Sequence, residues 1–358
     1  MMQPKLDQRK NAFVELGKLL NDYINGKLKN RETLEFLDKN IDLAGKQNPW
    51  FDRGNIFNSL TGISQMLEEE KFNKWLDNYN SKLQSGLKKK CNIAVIMAGN
   101  IPLVNFHDLL CVLITGHNFI GKLSSNDQVL PIAISDLLIS IEPSFENKIH
   151  FTSERLSGFD AVVATGSDNS SRYFEYYFGK YPHIIRKNRN SIAVLDGSED
   201  KQSLEALAGD IFSYYGLGCR NVSTILVPEN YSFDLFFEAL KNWKSIIEFY
   251  KYKNNYDFYK SVFLVNKTPH LDNGFVLLKE DNNLSSPLSV IHYQQYSSKE
   301  NIKEYIKTNK DLIQCIVASE FDLGIEGITT SFGKSQFPEL WDYPDRIDTV
   351  HFLLNINQ

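Results

Sequence analysis

Apolar positions along residues 1–88 recur at helical spacing. Phe13, Leu16, Leu19, Leu20 and Tyr23 share one face, and Leu34, Phe36, Leu37, Ile41 and Leu43 follow more loosely. Ile56, Leu60, Ile63, Met66 and Leu67 carry the pattern on through residues 55–79, so helices are predicted across this region. Trp50 and Phe51 read as packing between those helices rather than as a ligand platform, and Lys88, Lys89 and Lys90 as a solvated turn. The pattern changes at Cys91. Residues 92–98 form a near-continuous apolar run, the mark of a parallel strand buried on both faces. Gly99-Asn100-Ile101-Pro102 ends it, and a helix is predicted over 106–114. A β-like piece at 118–123 leads through Ser124, Ser125, Asn126 and Asp127 into a helix over 129–141. Strands follow at 150–152 and 161–164, a helix at 170–178 and a further strand at 191–196.

The second half repeats the alternation. A helical pattern runs to about Tyr215, Gly216 and Gly218 break it, and the apolar run 224–227 follows. A helix over 233–243, apolar runs at 262–265 and 275–278, a strand over 287–293, a helix ending near Thr308 and a strand over 313–318 complete the pattern. Strand, turn and helix in this order predict a doubly wound α/β fold that places ligands at the C-terminal ends of its strands. No internal repeat or low-complexity segment interrupts it.

The chain has 358 residues, enough for two or three domains, and its 42% hydrophobic and 23% charged content suits a globular core. A net charge of −5 argues against a binder of nucleic acid or anionic membrane. The polar start Met1-Met2-Gln3-Pro4-Lys5 and the lack of a long apolar run lead us to expect a cytoplasmic protein. Cys91, Cys111, Cys219 and Cys315 are far apart and show no metal-ligand spacing, so reduced thiols and no structural metal are expected. His107 beside Asp108 reads as packing or a turn rather than a catalytic pair.

Five features carry candidate chemistry. Cys219 sits in a Gly-bounded loop between a helix and a strand, where a substrate can approach a thiol. Its local alternative is a half-buried cysteine beside a helix end. Asn100 follows the strand at 92–98, where a side-chain N–H can hold a developing oxyanion; Gly-Asn is also ordinary turn chemistry. Lys122 ends a β-like piece and can hold a ribose or phosphate, or simply be a solvated edge lysine. Thr165-Gly166-Ser167 opens a helix whose N–H groups can receive a phosphate. The basic residues Arg186, Lys187 and Arg189 could meet phosphates of coenzyme A or a nucleotide, or form a solvated turn.

In order, these motifs resemble the aldehyde dehydrogenase superfamily, and within it the long-chain acyl-CoA reductases, the fatty acid reductase family of bacterial bioluminescence. The resemblance rests on Ala98-Gly99-Asn100-Ile101-Pro102, Gly121-Lys122-Leu123-Ser124-Ser125, Ala164-Thr165-Gly166-Ser167 and the stretch from Gly216 through Cys219 to Ser223. The tail Gly327-Ile328-Thr329-Thr330-Ser331-Phe332-Gly333-Lys334-Ser335-Gln336-Phe337-Pro338-Glu339-Leu340-Trp341 adds to it, and the match covers roughly 91–350.

The resemblance implies a Rossmann-like cofactor domain and an α/β catalytic domain. The expected boundaries are a helical N-terminal extension (1–90), a dinucleotide-binding domain (91–197), a catalytic domain (198–325) and a C-terminal segment returning to the cofactor domain (326–358). By the same resemblance Cys219 is the nucleophile, and Asn100 with the Cys219 amide forms the oxyanion hole. Lys122, Ser124, Ser125, Thr165, Gly166 and Ser167 lie along the dinucleotide. Activity would be acyl-CoA reduction through an acyl-cysteine to a long-chain aldehyde. An acyl phosphate reductase and a non-reducing acyl carrier are the alternatives. Ile211, Phe212, Tyr214 and Tyr215 beside the cysteine favour an apolar acyl tunnel. Acyltransferase and acid-activating partners, and a homo-oligomer, are compatible with the family.

Two departures matter. The catalytic glutamate of hydrolytic members has no counterpart near residues 186–191, with no carboxylate before Asp196, as suits an enzyme that must protect its acyl-cysteine from water. The glutamate that contacts the nicotinamide ribose is missing from register at Asn283-Leu284-Ser285-Ser286-Pro287, with Glu280 an uncertain substitute. After Lys122 the first acid is Asp127, so nothing immediate repels a 2′-phosphate, and NADPH is expected over NADH.

Overall fold

The computed structural model describes residues 5–85, 87, 89–166, 168–319 and 328–356. The chain forms two compact units, Met1–Lys187 with Phe337–Gln358, and Asn188–Gln336.

The first unit opens with five helices, α1 (Leu6–Ile24), α2 (Arg31–Gln47), α3 (Arg53–Met66), α4 (Glu69–Asp77) and α5 (Asn80–Ser85). Asn30 and Asp52 start α2 and α3 by accepting from the amides of Thr33 and Asn55, donors that the first turn of a helix otherwise leaves unpaired. Gly17 lets α1 pass close to α3, since a Cβ there would lie 2.6 Å from that of Leu67. Phe13, Leu16, Leu20, Phe72 and Trp75 are buried between the helices, and Phe51 joins them as packing.

Five strands alternate with three helices next: β1 (Asn92–Ile96), α6 (Phe106–Thr115), β2 (Asn118–Lys122), α7 (Val129–Ile141), β3 (Ile149–Thr152), β4 (Ala161–Thr165), α8 (Asp168–Phe178) and β5 (His183–Arg186). All pair in parallel in the order β3-β2-β1-β4-β5. Every residue of α6 is buried, as its nearly unbroken apolar sequence requires. The order reverses at β1, which has β2 on one side and β4 on the other. In such sheets the C-terminal tips at the reversal form a crevice for ligands.

β5 was not anticipated from the pattern, because both its ends are polar. Its last residue corrects the reading of the basic cluster at 186–189. Arg186 is buried at the strand end, and its guanidinium donates to both Asp108 carboxylate oxygens, at 2.7 and 2.8 Å, and to the Thr349 hydroxyl at 2.9 Å. It therefore neither lies in a solvated turn nor faces a phosphate. His107 is buried as well, with Nε2 2.9 Å from the Leu340 carbonyl, so it packs inside the unit and is not in an exposed turn.

The second unit contains β6 (Asn190–Val194), α9 (Lys201–Phe212), β7 (Val222–Pro228), α10 (Asp234–Ala239), α11 (Tyr250–Val265), β8 (Leu271–Asp272), β9 (Leu277–Glu280), β10 (Val290–Tyr296), α12 (Lys299–Thr308), β11 (Ile313–Ala318) and β12 (Thr329–Thr330). Its sheet runs β12-β11-β6-β7-β10-β9-β8, parallel except for the β8–β9 pair. The apolar run 262–265 is the end of α11, and the strand expected over 287–293 begins only at Val290. The chain then returns to the first unit, where α13 (Thr349–Asn355) buries Val350 and Leu353 in the core that holds α6. No helix among the described residues is long and apolar enough to cross a membrane.

Candidate functional site

In the second unit, one side chain shapes the loop that presents Cys219. The Asn221 carboxamide donates to the carbonyls of Asp210, Ile211 and Ser213, at 3.1, 3.2 and 2.9 Å, and accepts from the Gly218 amide at 2.8 Å. Those carbonyls close α9, where intrahelical partners run out, so a buried asparagine ends the helix and folds the loop over itself. Tyr214, Tyr215 and Gly216 then take left-handed φ values of 54°, 58° and 82°. For the two tyrosines this costs on the order of 1–3 kcal/mol each. Packing holds them there: Tyr214 is buried, and the Tyr215 ring lies 4.5 Å from Phe249 between centroids.

Ser191 on β6 fixes the far side of the loop, its hydroxyl donating to the Cys219 carbonyl at 2.9 Å. Cys219 is exposed, whereas Cys91, Cys111 and Cys315 are buried, and no disulfide is present. The α9 helix is also tied to the tail motif. Asp210 accepts from the amides of Gly333 and Ser335 at 2.6 and 2.9 Å. Burial pushes its carboxyl up to about 6 against those two bonds.

A cavity of about 80 Å³ adjoins the loop within this unit. Ile211, Phe212, Tyr215, Val276 and Leu288 form its apolar wall, and Gly218 and Tyr252 also line it. Among the described residues its lining includes no lysine or arginine. The departing segment at 283–287 is pinned from β7, since the hydroxyls of Ser223 and Thr224 donate to the Leu284 carbonyl at 2.7 and 2.9 Å.

In the first unit, the other candidates gather on one sheet edge. Ile96 pairs with Lys122 and with Ala164, so Asn100, Lys122 and Thr165 follow the tips of three adjacent strands. The β1 and β2 loops pack tightly: a Cβ on Gly99 would lie 2.8 Å from that of Ser124. Asn100 and Ser125 are exposed and Ser124 half-buried. Lys122 donates to the Ser153 carbonyl, which holds its amine against the loop after β3. The Thr165 hydroxyl is buried without a hydrogen-bond partner among the described residues. Gly166 allows α8 to pass close, a Cβ there falling 2.8 Å from the Phe174 ring. Ser167 lies outside the described residues. A strand-tip edge with an unmatched hydroxyl fits a dinucleotide.

Asp127 turns away from that edge. It is buried, with Oδ2 accepting from the Leu103 amide at 2.9 Å, and burial raises its carboxyl to about 7 against that bond. Sequence reasoning assigned no role to Asp210, Ser191, Asn221 or Tyr252. Asn221 and Asp210 lay inside the motif already singled out, but their partners are carbonyls and amides that no residue pattern announces. Nothing in the pattern pointed to Tyr252.

Comparison with known proteins agrees with this architecture. Residues 26–242 match the family described as Acyl-CoA reductase (LuxC). Long-chain acyl-protein thioester reductase 2 of Photobacterium leiognathi is 21% identical over a 230-residue alignment that covers 59% of this chain and 47% of that protein. The chain thus spans about half the length of this curated relative. Among solved structures, 1-pyrroline-5-carboxylate dehydrogenase from Thermus, with bound NAD, aligns at a TM-score of 0.62 and 9% identity, over 99% of this chain and 80% of that one. Aldehyde dehydrogenase 21 of Physcomitrella patens, in complex with succinate, gives 0.60 and 14%, over 99% and 89%. On an aldehyde dehydrogenase-like α/β fold with a helical N-terminal region, this chain belongs to the acyl-CoA reductase (LuxC) family.

Proposed function

We propose that the chain reduces an acyl-CoA thioester to an aldehyde through an acyl group carried on Cys219, with NADPH as reductant. One observation carries the reading: Cys219 is the exposed thiol of the four, on a loop that Asn221 and Ser191 fix from both sides. A held, accessible thiol is what nucleophilic catalysis needs. The Cys219 thiolate attacks the thioester carbonyl, the carbon–sulfur bond to coenzyme A breaks, and coenzyme A leaves as its thiol. Asn100 donates a side-chain N–H to the oxyanion, a contact of the kind worth about 10²–10³ in rate.

Lys122, Ser124, Ser125, Thr165, Gly166 and Ser167 would hold the dinucleotide, which when bound supplies the hydride. Cys219 then departs as a thiolate and the aldehyde is released. The buried position of Asp127 supports NADPH over NADH, because the first carboxylate after β2 is turned into the protein rather than toward a 2′-phosphate. Protection of the acyl-cysteine from water is supported by Asp210, whose carboxylate is occupied by the amides of Gly333 and Ser335. Reduction of an acyl phosphate is less favoured, since a phosphate calls for cationic lining. Acyl-transferring partners and a homo-oligomer remain part of the family-based reading.

The test is mass spectrometry of the protein mixed with acyl-CoAs of graded length, followed by reduced nucleotide. The wild type should gain the acyl mass on Cys219 and lose it as aldehyde when NADPH is added, and Cys219→Ala should gain none. Undiminished labelling of that variant would refute the assignment. Labelling that NADPH cannot discharge would mark an acyl carrier, and faster discharge by NADH would reverse the cofactor choice. Asn100→Ala should slow turnover far more than it weakens acyl-CoA binding; equal losses would remove its oxyanion role.

A further inference from the structure

One peptide group in the loop after β1 is held at both ends from elsewhere in the first unit. The Pro102 carbonyl accepts from the Ser59 hydroxyl of α3 at 2.8 Å. The Leu103 amide, the other end of the same peptide, donates at 2.9 Å to Asp127 Oδ2 in the loop after β2. Ser59 and Asp127 are both buried, so water does not compete for either bond. Leu103 itself takes a left-handed φ of 56°. A bulky residue rarely adopts that conformation and keeps it only where the surroundings fix it. The start of the loop is held by contact. A Cβ on Gly99 would lie 2.8 Å from the Cβ of Ser124 and 3.0 Å from that of Asn126, so the loops after β1 and β2 touch there. Asn126 is tied in turn to Asn48 at the end of α2, whose carboxamide donates to its carbonyl at 3.2 Å. Asn100 lies between these two fixed points, one residue after Gly99 and two before Pro102.

We propose that Ser59 and Asp127 are positioning residues: by clamping the Pro102–Leu103 peptide they set where the Asn100 side chain stands, and so how well it donates to the oxyanion. This rests on the reading of Asn100 as the oxyanion donor in the acylation of Cys219. Both residues act through the loop rather than on the substrate. Oxyanion stabilisation depends on donors already aimed at the developing charge, and a displacement of about 1 Å can cost about 100-fold in rate. The clamp also gives the N-terminal helices a part in the chemistry, since α3 supplies the donor on one side.

The experiment measures the rate of Cys219 acylation by saturating tetradecanoyl-CoA, without dinucleotide, in the full chain. Ser59→Ala, Asp127→Ala and Asp127→Asn are compared with the wild type, each with Asn100 present and with Asn100→Ala. Omitting the dinucleotide removes any effect that Asp127 has through the cofactor loop. With Asn100 present, Ser59→Ala and Asp127→Ala should each slow acylation about 10- to 100-fold and leave the affinity for tetradecanoyl-CoA unchanged. Asp127→Asn still accepts from the Leu103 amide and should recover most of the rate. Combined with Asn100→Ala, the same changes should slow acylation no further, because residues that act through one group are not additive. Losses that persist undiminished after Asn100→Ala would overturn the proposal. So would wild-type rates in Ser59→Ala and Asp127→Ala, or an Asp127→Asn protein as slow as Asp127→Ala. Ser59→Ala removes only a hydroxyl and carries the test alone should Asp127→Ala fail to fold. An Asn100→Ala protein that acylates at the wild-type rate would instead take down the oxyanion reading, and the role of the clamp with it.

Discussion

Asn221 accepts a hydrogen bond from the amide of Gly218 at 2.8 Å and so closes a ring of backbone around Cys219. The same carboxamide donates to three carbonyls at the end of α9, so one buried side chain fixes both the helix end and the loop. Asn221→Ala leaves these groups unmatched and should destabilise the second unit by about 2–4 kcal/mol. Asn221→Asp keeps the acceptor but turns a carboxylate oxygen toward carbonyl oxygens, so it should be no milder. Thermal unfolding measures the loss. The rate of Cys219 alkylation in the native state, which should change in both variants, reports the loop.

The Arg186–Asp108 pair joins β5 to α6 and, through Thr349, to α13. Burial works to raise the Asp108 carboxyl, but the guanidinium overrides it and holds the group below its ordinary value. Removing one partner strands the other charge in the core, so Asp108→Ala should cost about 3–5 kcal/mol. Replacing both, as Asp108→Leu with Arg186→Met, should recover most of that loss. Denaturant unfolding of the single and double variants decides it; equal losses would mean that the stranded charge is not the cause.

Asp127 and Asp210 give stability an unusual slope with pH. Burial raises the first to about 7 and the second to about 6, both above the 3.8 of an exposed aspartate. The folded chain therefore binds these protons more tightly than the unfolded chain does. Their contribution to stability is fully present below about pH 4 and is lost as pH rises through 6 and 7. Asp127→Asn can still accept from the Leu103 amide and carries no charge. It should raise the melting temperature at pH 8 relative to the wild type, with little gain at pH 4. A uniform shift across that range would mean that Asp127 does not titrate there.

Much of this fold was legible where a strand is buried on both faces, as β1, β4 and β11 are, and where a helix ends at glycine or proline, as α6 and α7 do. The run at 92–98 and the helix over 106–114 were readable for that reason, as was the loop around Cys219. β5 was hidden because His183 and Arg186 give it polar ends, and Arg186 looked like part of a surface cluster until Asp108, 78 positions earlier in the chain, proved to be its partner. The run 262–265 has the apolar content of a strand, yet it continues the helix that begins at Tyr250. The cavity could not be read at all. Its wall comes from α9, α11 and the approach to β10, and the sequence carries no record of which hydroxyl in it goes without a partner.

Tyr252 makes a prediction about stability. Its hydroxyl is buried and has no partner among the described residues, and burial raises it far above the ordinary phenol range. Taking a hydroxyl out of water without a compensating bond costs about 1–3 kcal/mol. The ring itself packs in the core with Phe212 and Phe275, so Tyr252→Phe keeps the apolar contacts and sheds only that cost. The variant should therefore unfold at a higher temperature than the wild type. Differential scanning calorimetry of both proteins tests this. A Tyr252→Phe protein that is less stable than the wild type would show that the hydroxyl already serves the fold.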